Sequence, residues 1–173
     1  MIKEYASDRK TVVFMPLINI AQEFRDILIN SGVDCREVNG ESTDRAETLE
    51  WFHNAGKGSV LINSLLLTEG WDEPSADCVV MLRPTKIRGF YVQCVGRILR
   101  PYPGKKDALI LDFLWLTTRL DLCRPADLVS TNKEDREHIR KRTEIEQIDL
   151  FNACTDAEEA RRNTLAESLR AQK

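Results

Sequence analysis

Gln93, Gly96, Arg97 and Arg100 recur within the octapeptide Gln93-Cys94-Val95-Gly96-Arg97-Ile98-Leu99-Arg100. On a helix they share one face, because residues three and four apart are neighbours. Two guanidinium groups one turn apart can grip a single multivalent anion, such as the terminal phosphates of a nucleotide. Glycine inside a helix costs about 1 kcal/mol relative to alanine, so Gly96 implies close approach of a backbone or ligand. Val92, Val95 and Leu99 fall on another face and are expected to point inward. Taken alone, the octapeptide also fits a solvated helix with two ordinary surface arginines.

A second polar set follows the apolar run Val60-Leu61-Ile62-Asn63. Ser64 offers a hydroxyl that can bond a phosphate or cap a short helix. Gly70 allows a tight backbone path, and Asp72 is a carboxylate suited to accepting from a ribose hydroxyl. Taken singly, Ser64 and Gly70 also fit an N-cap and a turn. Between Asp77 and Asp107 no acidic residue occurs, while Arg83, Lys86, Arg88, Arg97, Arg100, Lys105 and Lys106 fall in the same stretch. That segregation points to an anion-facing surface.

These residues need a scaffold, and the pattern supplies one. The apolar runs Thr11–Met15, Val60–Asn63, Cys78–Leu82 and Ala108–Leu111 read as strands, and Val33–Val38, ending at Asn39-Gly40, as another. Helical patterns occupy Ile18–Asn30, with Ile18, Ala21, Phe24, Ile27 and Leu28 as its apolar positions, then Thr43–Asn54 and Gly89–Leu99. Strands alternating with helices, without period-2 alternation, predict a parallel sheet covered on both faces. In such sheets ligands sit at the carboxyl ends of strands, where Ser64–Asp72 and Pro84–Lys86 belong. Residues 1–10 read as a lead-in, 11–113 as the α/β domain and 114–173 as a connector and helical tail. In the tail, Thr131-x-x-Glu134 and Thr155-x-x-Glu158 are expected capping boxes. Ile139, Ile145, Ile148, Leu150 and Phe151 form one apolar seam there, and Leu165 and Leu169 another.

With 173 residues, 42% of them hydrophobic, the chain can build one core. A net charge of −3 with 31% charged residues excludes a generally basic nucleic-acid coat, so any such binding must be local. Five cysteines without Cys-x-x-Cys or metal-ligand spacing suggest free thiols in a reducing compartment and no metal site. His53 and His138 have no partner motif. The absence of a signal peptide or a long apolar run predicts an intracellular, cytoplasmic protein off the membrane.

The run Thr68-Glu69-Gly70-Trp71-Asp72, then Leu82-Arg83-Pro84-Thr85-Lys86, then Gln93-x-x-Gly96-Arg97-x-x-Arg100 resembles the second RecA-like lobe of superfamily 2 DNA/RNA helicases. The DEAD/DEAH-like branch, with its phage and bacterial DNA-repair helicases, is the nearest. Thr68–Asp72 matches motif V, Gln93–Arg100 motif VI, and Thr11–Pro16 sits where motif IV belongs; the resemblance covers about residues 10–113. It implies an arginine finger at Arg100, a companion at Arg97, a polar interlobe residue at Gln93 and ribose and turn positions at Asp72 and Gly70. Ser64, Thr85 and Lys86 would touch the backbone of a nucleic-acid strand, and Phe14 would support the motif VI arginines. ATP with Mg²⁺ is the implied cofactor, and DNA or RNA, engaged as a single strand, the implied partner.

A complete site of this kind also needs a P-loop, G-x-x-x-x-G-K-[ST], and a D-E-x-[HD] box. Neither Gly56-Lys57-Gly58-Ser59 nor Pro103-Gly104-Lys105-Lys106 meets the P-loop pattern, and Asp72-Glu73-Pro74-Ser75 is not at the end of a buried strand. The phosphate cradle and the Mg²⁺ ligands are therefore expected on a first lobe, in cis or on another subunit, and the chain alone is expected to be inactive. The alternative is a non-catalytic module that keeps the lobe fold for nucleic-acid binding or protein docking. A different nucleotide-binding α/β domain with a coincidental arginine pair is a third reading.

Overall fold

The computed structural model describes residues 2–64, 71–113, 123–144 and 149–171. The chain divides into two compact units, Met1–Cys123 and Arg124–Lys173. In the first, α1 (Ile2–Tyr5) precedes β1 (Thr11–Met15), α2 (Ile18–Asn30), β2 (Cys35–Asn39), α3 (Arg45–Asn54), β3 (Val60–Ser64), β4 (Cys78–Met81), α4 (Arg88–Ile98) and β5 (Leu109–Asp112). The strands form one parallel sheet in the order β2-β3-β1-β4-β5.

Register explains why the central strand runs are largely apolar. Val13 pairs with Ile62 and Val80, and Val12 with Leu61 and Val79, so each central strand buries both faces. Val13, Ile62 and Val80 pack with Ala21 and Leu28 of α2 and with Ile2 and Ala6. On the opposite face, the Tyr91 hydroxyl of α4 donates to Asp112 Oδ2 at 3.1 Å. The first ten residues are not a simple lead-in: α1 covers the sheet, and Lys10 is buried.

Two helices differ from the expected faces. On α2, Ala21, Phe24 and Leu28 turn to the sheet while Ile27 is exposed, as are Leu17, Ile20 and Ile29. The stripe at 21, 24 and 28 already fills the 3.6-residue period, leaving Ile27 a quarter-turn away. On α4 the buried positions are Tyr91, Cys94, Val95 and Ile98, with Val92 and Leu99 only half-buried. The inward face is thus rotated by about one residue, because the large Tyr91 ring takes the sheet side.

Beneath the sheet, Lys10 and Glu73 form a buried network. Lys10 Nζ lies 3.4 Å from Glu73 Oε1 and donates to Ser75 Oγ at 2.8 Å and to the His53 carbonyl at 3.0 Å. It also sits 4.8 Å above the Phe52 ring. His53 Nδ1 meets Glu73 Oε2 at 2.9 Å, and the Ser75 hydroxyl donates to Glu73 Oε1. Burial by itself raises the Glu73 carboxyl, but Ser75, His53 and Lys10 outweigh it and hold the carboxyl below its usual range. Burial lowers the Lys10 ammonium.

The second unit contains α5 (Ala126–Val129), α6 (Lys133–Glu144) and α7 (Leu150–Ala171). Ala126, Ile139, Ala153 and Ala157 form its small core, with Val129, Leu150 and Cys154 against it. Neither expected capping box is used. Asn132 Oδ1 accepts from the Glu134 and Asp135 amides, and Asp149 Oδ1 from the Asn152 amide. Asn and Asp are at least as good as Thr at this task, so each helix starts where its better cap stands, and Thr155 lies inside α7. Ile145 and Ile148, and the side chains of Phe151, Leu165 and Leu169, lie outside the described residues.

Lys10→Met leaves Glu73 buried without its cation and is expected to cost about 3–5 kcal/mol in denaturant titration, with Lys10→Met/Glu73→Leu recovering much of the loss. Because the folded Glu73 carboxyl is held low, its contribution is complete above the unfolded value of about 4.3. It is lost as pH falls through the lower folded value. Acid melts of wild type and Glu73→Gln should therefore converge as pH falls below about 4.

Candidate functional site

Asp72 and Arg100, 28 residues apart in sequence, are brought together: Arg100 Nη1 donates to Asp72 Oδ2. The Arg100 and Asp72 side chains are 54% and 46% exposed, respectively, so the pair is open to solvent, where such contacts contribute about 0–1 kcal/mol. Arg100 lies just past the end of α4, and Arg97 is half-buried in its last turn. Gln93 is exposed one turn earlier. Gly70, Thr68 and Glu69 lie outside the described residues.

The Asp72–Arg100 pair is not at the carboxyl edge of the sheet, where the strand order alone would put Asp72. Lys105 Nζ bridges the carbonyl ends of both segments, reaching Ala76 at 2.7 Å and Pro74 and Arg100 at 3.1 Å each, and the Ile98 carbonyl as well. Ala76 immediately precedes Asp77, whose amide bonds the Lys10 carbonyl at the amino ends of β1 and β4. The arginine end of α4 is therefore at the amino edge of the sheet.

Thr85 and Lys86 are at the other end. They follow β4 and precede α4, at the carboxyl edge. Thr85 Oγ1 accepts from the Ile87 amide at 3.0 Å and its carbonyl from the Cys123 amide at 2.8 Å, while Lys86 is exposed. An eleven-residue α4 separates the two clusters by about 16 Å. Ser64, at the end of β3, joins neither. It is fully buried and its hydroxyl donates to Glu37 Oε1 at 3.0 Å, alongside Asn39. Phe14 is buried on the sheet face that α4 covers, its backbone paired with Met81.

The acid-free stretch does not act as one cationic surface. The Arg83 guanidinium stacks over Phe90 at 4.7 Å, and Lys105 is engaged by carbonyls. Lys105 is the residue that spacing did not single out. A usable signal was present, since Tyr102-Pro103-Gly104-Lys105 is a turn sequence. Gly104 has φ +81° and the Lys105 amide bonds the Tyr102 carbonyl at 3.0 Å.

All five cysteines are free. Burial pushes the thiols of Cys35 and Cys78 up to about 11 and that of Cys94 to about 12, so they are not reactive thiolates. Among the described residues no group of three His, Cys, Asp or Glu could hold a metal ion. No described helix is long and apolar enough to cross a membrane.

Residues 1–102 match the helicase conserved C-terminal domain family. The chain belongs to that family. Among similar proteins, a Schizosaccharomyces pombe protein described as the mitochondrial ATP-dependent helicase irc3 is 34% identical over 137 residues, covering 78% of this chain and 23% of that protein. A Saccharomyces cerevisiae protein described as the ATP-dependent helicase IRC3 is 31% identical over 114 residues, 65% of this chain and 16% of its own length. The chain thus spans less than a quarter of these relatives. Among solved structures, domain 2 of the Mss116p DEAD-box helicase bound to an RNA duplex shares the fold with a TM-score of 0.53 at 19% identity, covering 86% of this chain and 52% of that one. The Dbp5 C-terminal domain does so with a TM-score of 0.54 at 21% identity, covering 64% of each chain. The α/β unit has the RecA-like fold of these helicase C-terminal domains.

A Cβ added at Gly96 would meet nothing within 4 Å among the described residues, so the expected close backbone approach is not made by any of them. Gly96→Ala is therefore expected to stabilise the lobe by about 0.5–1 kcal/mol through helix propensity alone. Calorimetry should record a melting temperature a few degrees higher.

Proposed function

We propose that this chain is the C-terminal motor lobe of an ATP-dependent helicase or translocase, supplying an arginine finger and part of a strand-binding surface. The observation that supports this best is the exposed Asp72–Arg100 pair beside Arg97. It sets a carboxylate for a ribose hydroxyl against a guanidinium for a terminal phosphate, with Arg97 one turn earlier in α4. This donor and acceptor set fits a nucleoside triphosphate.

In this reading Arg100 leaves Asp72 and points at the terminal phosphate, where it neutralises charge that develops as the phosphoryl group is transferred. Arg97 holds the same phosphate, Gln93 faces the partner lobe, and Asp72 and Gly70 receive the sugar. Bound ATP supplies the scissile phosphoanhydride. Mg²⁺ would be held by a P-loop lobe, in cis or in trans. Thr85 and Lys86 contact the phosphates of a DNA or RNA strand at the opposite end of α4, positioning it without reading its bases. Ser64 acts indirectly, through Glu37, on the end of β3. Lobe closure on ATP and release after hydrolysis would then move the strand. The free thiols suit a reducing, intracellular setting.

The test is nucleic-acid-stimulated ATPase activity of the protein with its P-loop lobe. Arg100→Ala is expected to lower kcat about 10³-fold or more with a melting temperature nearly unchanged, since the side chain is half exposed. Normal turnover in that variant would favour a docking module that merely keeps the lobe fold. Lys86→Glu is expected to weaken strand binding equally for unrelated sequences and to reduce its salt dependence; a sequence-selective loss in fluorescence anisotropy would contradict a phosphate contact.

A further inference from the structure

We propose that Lys105 is the positioning residue for Arg100. This rests on the reading of Arg100 as a finger. The ammonium of Lys105 is surrounded by four main-chain carbonyls, those of Pro74 (3.1 Å), Ala76 (2.7 Å), Ile98 and Arg100 (3.1 Å). Three N–H donors are shared among four acceptors. Burial lowers the ammonium from its ordinary range, yet the charge is met by backbone dipoles.

Those carbonyls belong to the two segments that carry the site. Ile98 is the last residue of α4, and its carbonyl is one of those a helix leaves without an intrahelical partner. A cation there also meets the negative end of the helix dipole. The Arg100 carbonyl belongs to the residue whose side chain would reach the nucleotide. Pro74 and Ala76 follow Asp72 on the segment leading into β4. One ammonium thus fixes the chain under Arg100 relative to the chain under Asp72, and the Pro103–Gly104 turn, with Gly104 at φ +81°, brings Lys105 back to that point. Arg100 itself has a long, half-exposed side chain, so its placement depends on the main chain from which it springs. Lys105 touches no substrate in this scheme; it sets where the finger starts.

The experiment uses the full protein carrying both lobes and compares Lys105→Met, Lys105→Gln, Lys105→Arg, Arg100→Ala and the Lys105→Met/Arg100→Ala pair. Misplacing a catalytic group by about 1 Å can cost roughly 100-fold. Lys105→Met is therefore expected to lower kcat by roughly 10- to 100-fold, with KM for ATP and strand affinity changed less than about twofold. Lys105→Gln serves the same comparison if the methionine variant melts below the assay temperature, and Lys105→Arg, which keeps the cation, should recover most of kcat. In the Arg100→Ala background the Lys105 substitution should have no further effect on the residual rate, because there is no finger left to place. An equal loss with and without Arg100 would mean general damage and would overturn the inference. So would a folded neutral variant with full kcat in a protein that Arg100→Ala inactivates, and so would failure of arginine to rescue. Full turnover in Arg100→Ala alone overturns the finger reading itself, and the dependence of this inference on it.

Discussion

The segment Trp71–Asp77 runs under the sheet without a strand or helix of its own, and buried backbone without a ladder must find its partners elsewhere. Two lysines hold it: the Lys10 carbonyl accepts the Asp77 amide at 3.0 Å, and Lys105 meets main-chain carbonyls. From one side Lys10 holds Ser75 and the Glu73 carboxylate, while its own amide donates to Asp77 Oδ1 at 2.8 Å. From the other, Lys105 takes the Pro74 and Ala76 carbonyls. The start of β4, the end of α4 and the position of Asp72 all follow from where this segment is held. Both ammonium groups are lowered by burial, the cost of using charge inside a fold, and the groups around them offset part of it.

The same arrangement makes α4 a rod with cationic residues at both ends. Its buried stripe of Tyr91, Cys94, Val95 and Ile98 fixes it to the sheet. Lys86 stands before its first turn and Arg97 and Arg100 at its last. A rigid helix transmits displacement from one end to the other without needing a chain of polar contacts, since cores resist continuous deformation. That suits a lobe proposed to couple strand contact to nucleotide chemistry. Among the described residues nothing packs against a Cβ at Gly96, so none of them explains its helix penalty; a ligand or facing lobe would use the room.

The fold was legible because the central strands β3, β1 and β4 are largely apolar runs and helices have punctuated ends, as at Ser31-Gly32, where Gly32 has φ +77°. The pairing of residues across motifs was legible only in kind. The motif resemblance named Asp72 and Arg100, but their contact depends on a crossover that returns Asp72 to the amino edge, which no local pattern encodes. Finer faces were missed where two solutions share one period. Tyr91 displaced Val92 from the core, and Asn132 and Asp149 displaced threonines that satisfied the same capping pattern. Lys105 was hidden for a different reason: its partners at Pro74 and Ala76 lie 31 and 29 residues away, and backbone carbonyls leave no trace in the side-chain sequence.

The Asp72–Arg100 pair is weak enough to be useful. Both groups are about half exposed, so water screens the attraction and separating them costs little. A bound triphosphate offers Arg100 several charged oxygens in a less hydrated setting, where the same guanidinium is held more strongly. On the proposed reading the carboxylate therefore keeps the finger ordered near its working position while yielding to the nucleotide, and the sugar hydroxyl takes the carboxylate that the finger leaves. A buried pair could not do this, since breaking it would strand a desolvated charge. Half-exposure is thus the property that lets one residue pair serve the open state and dissolve in the closed one.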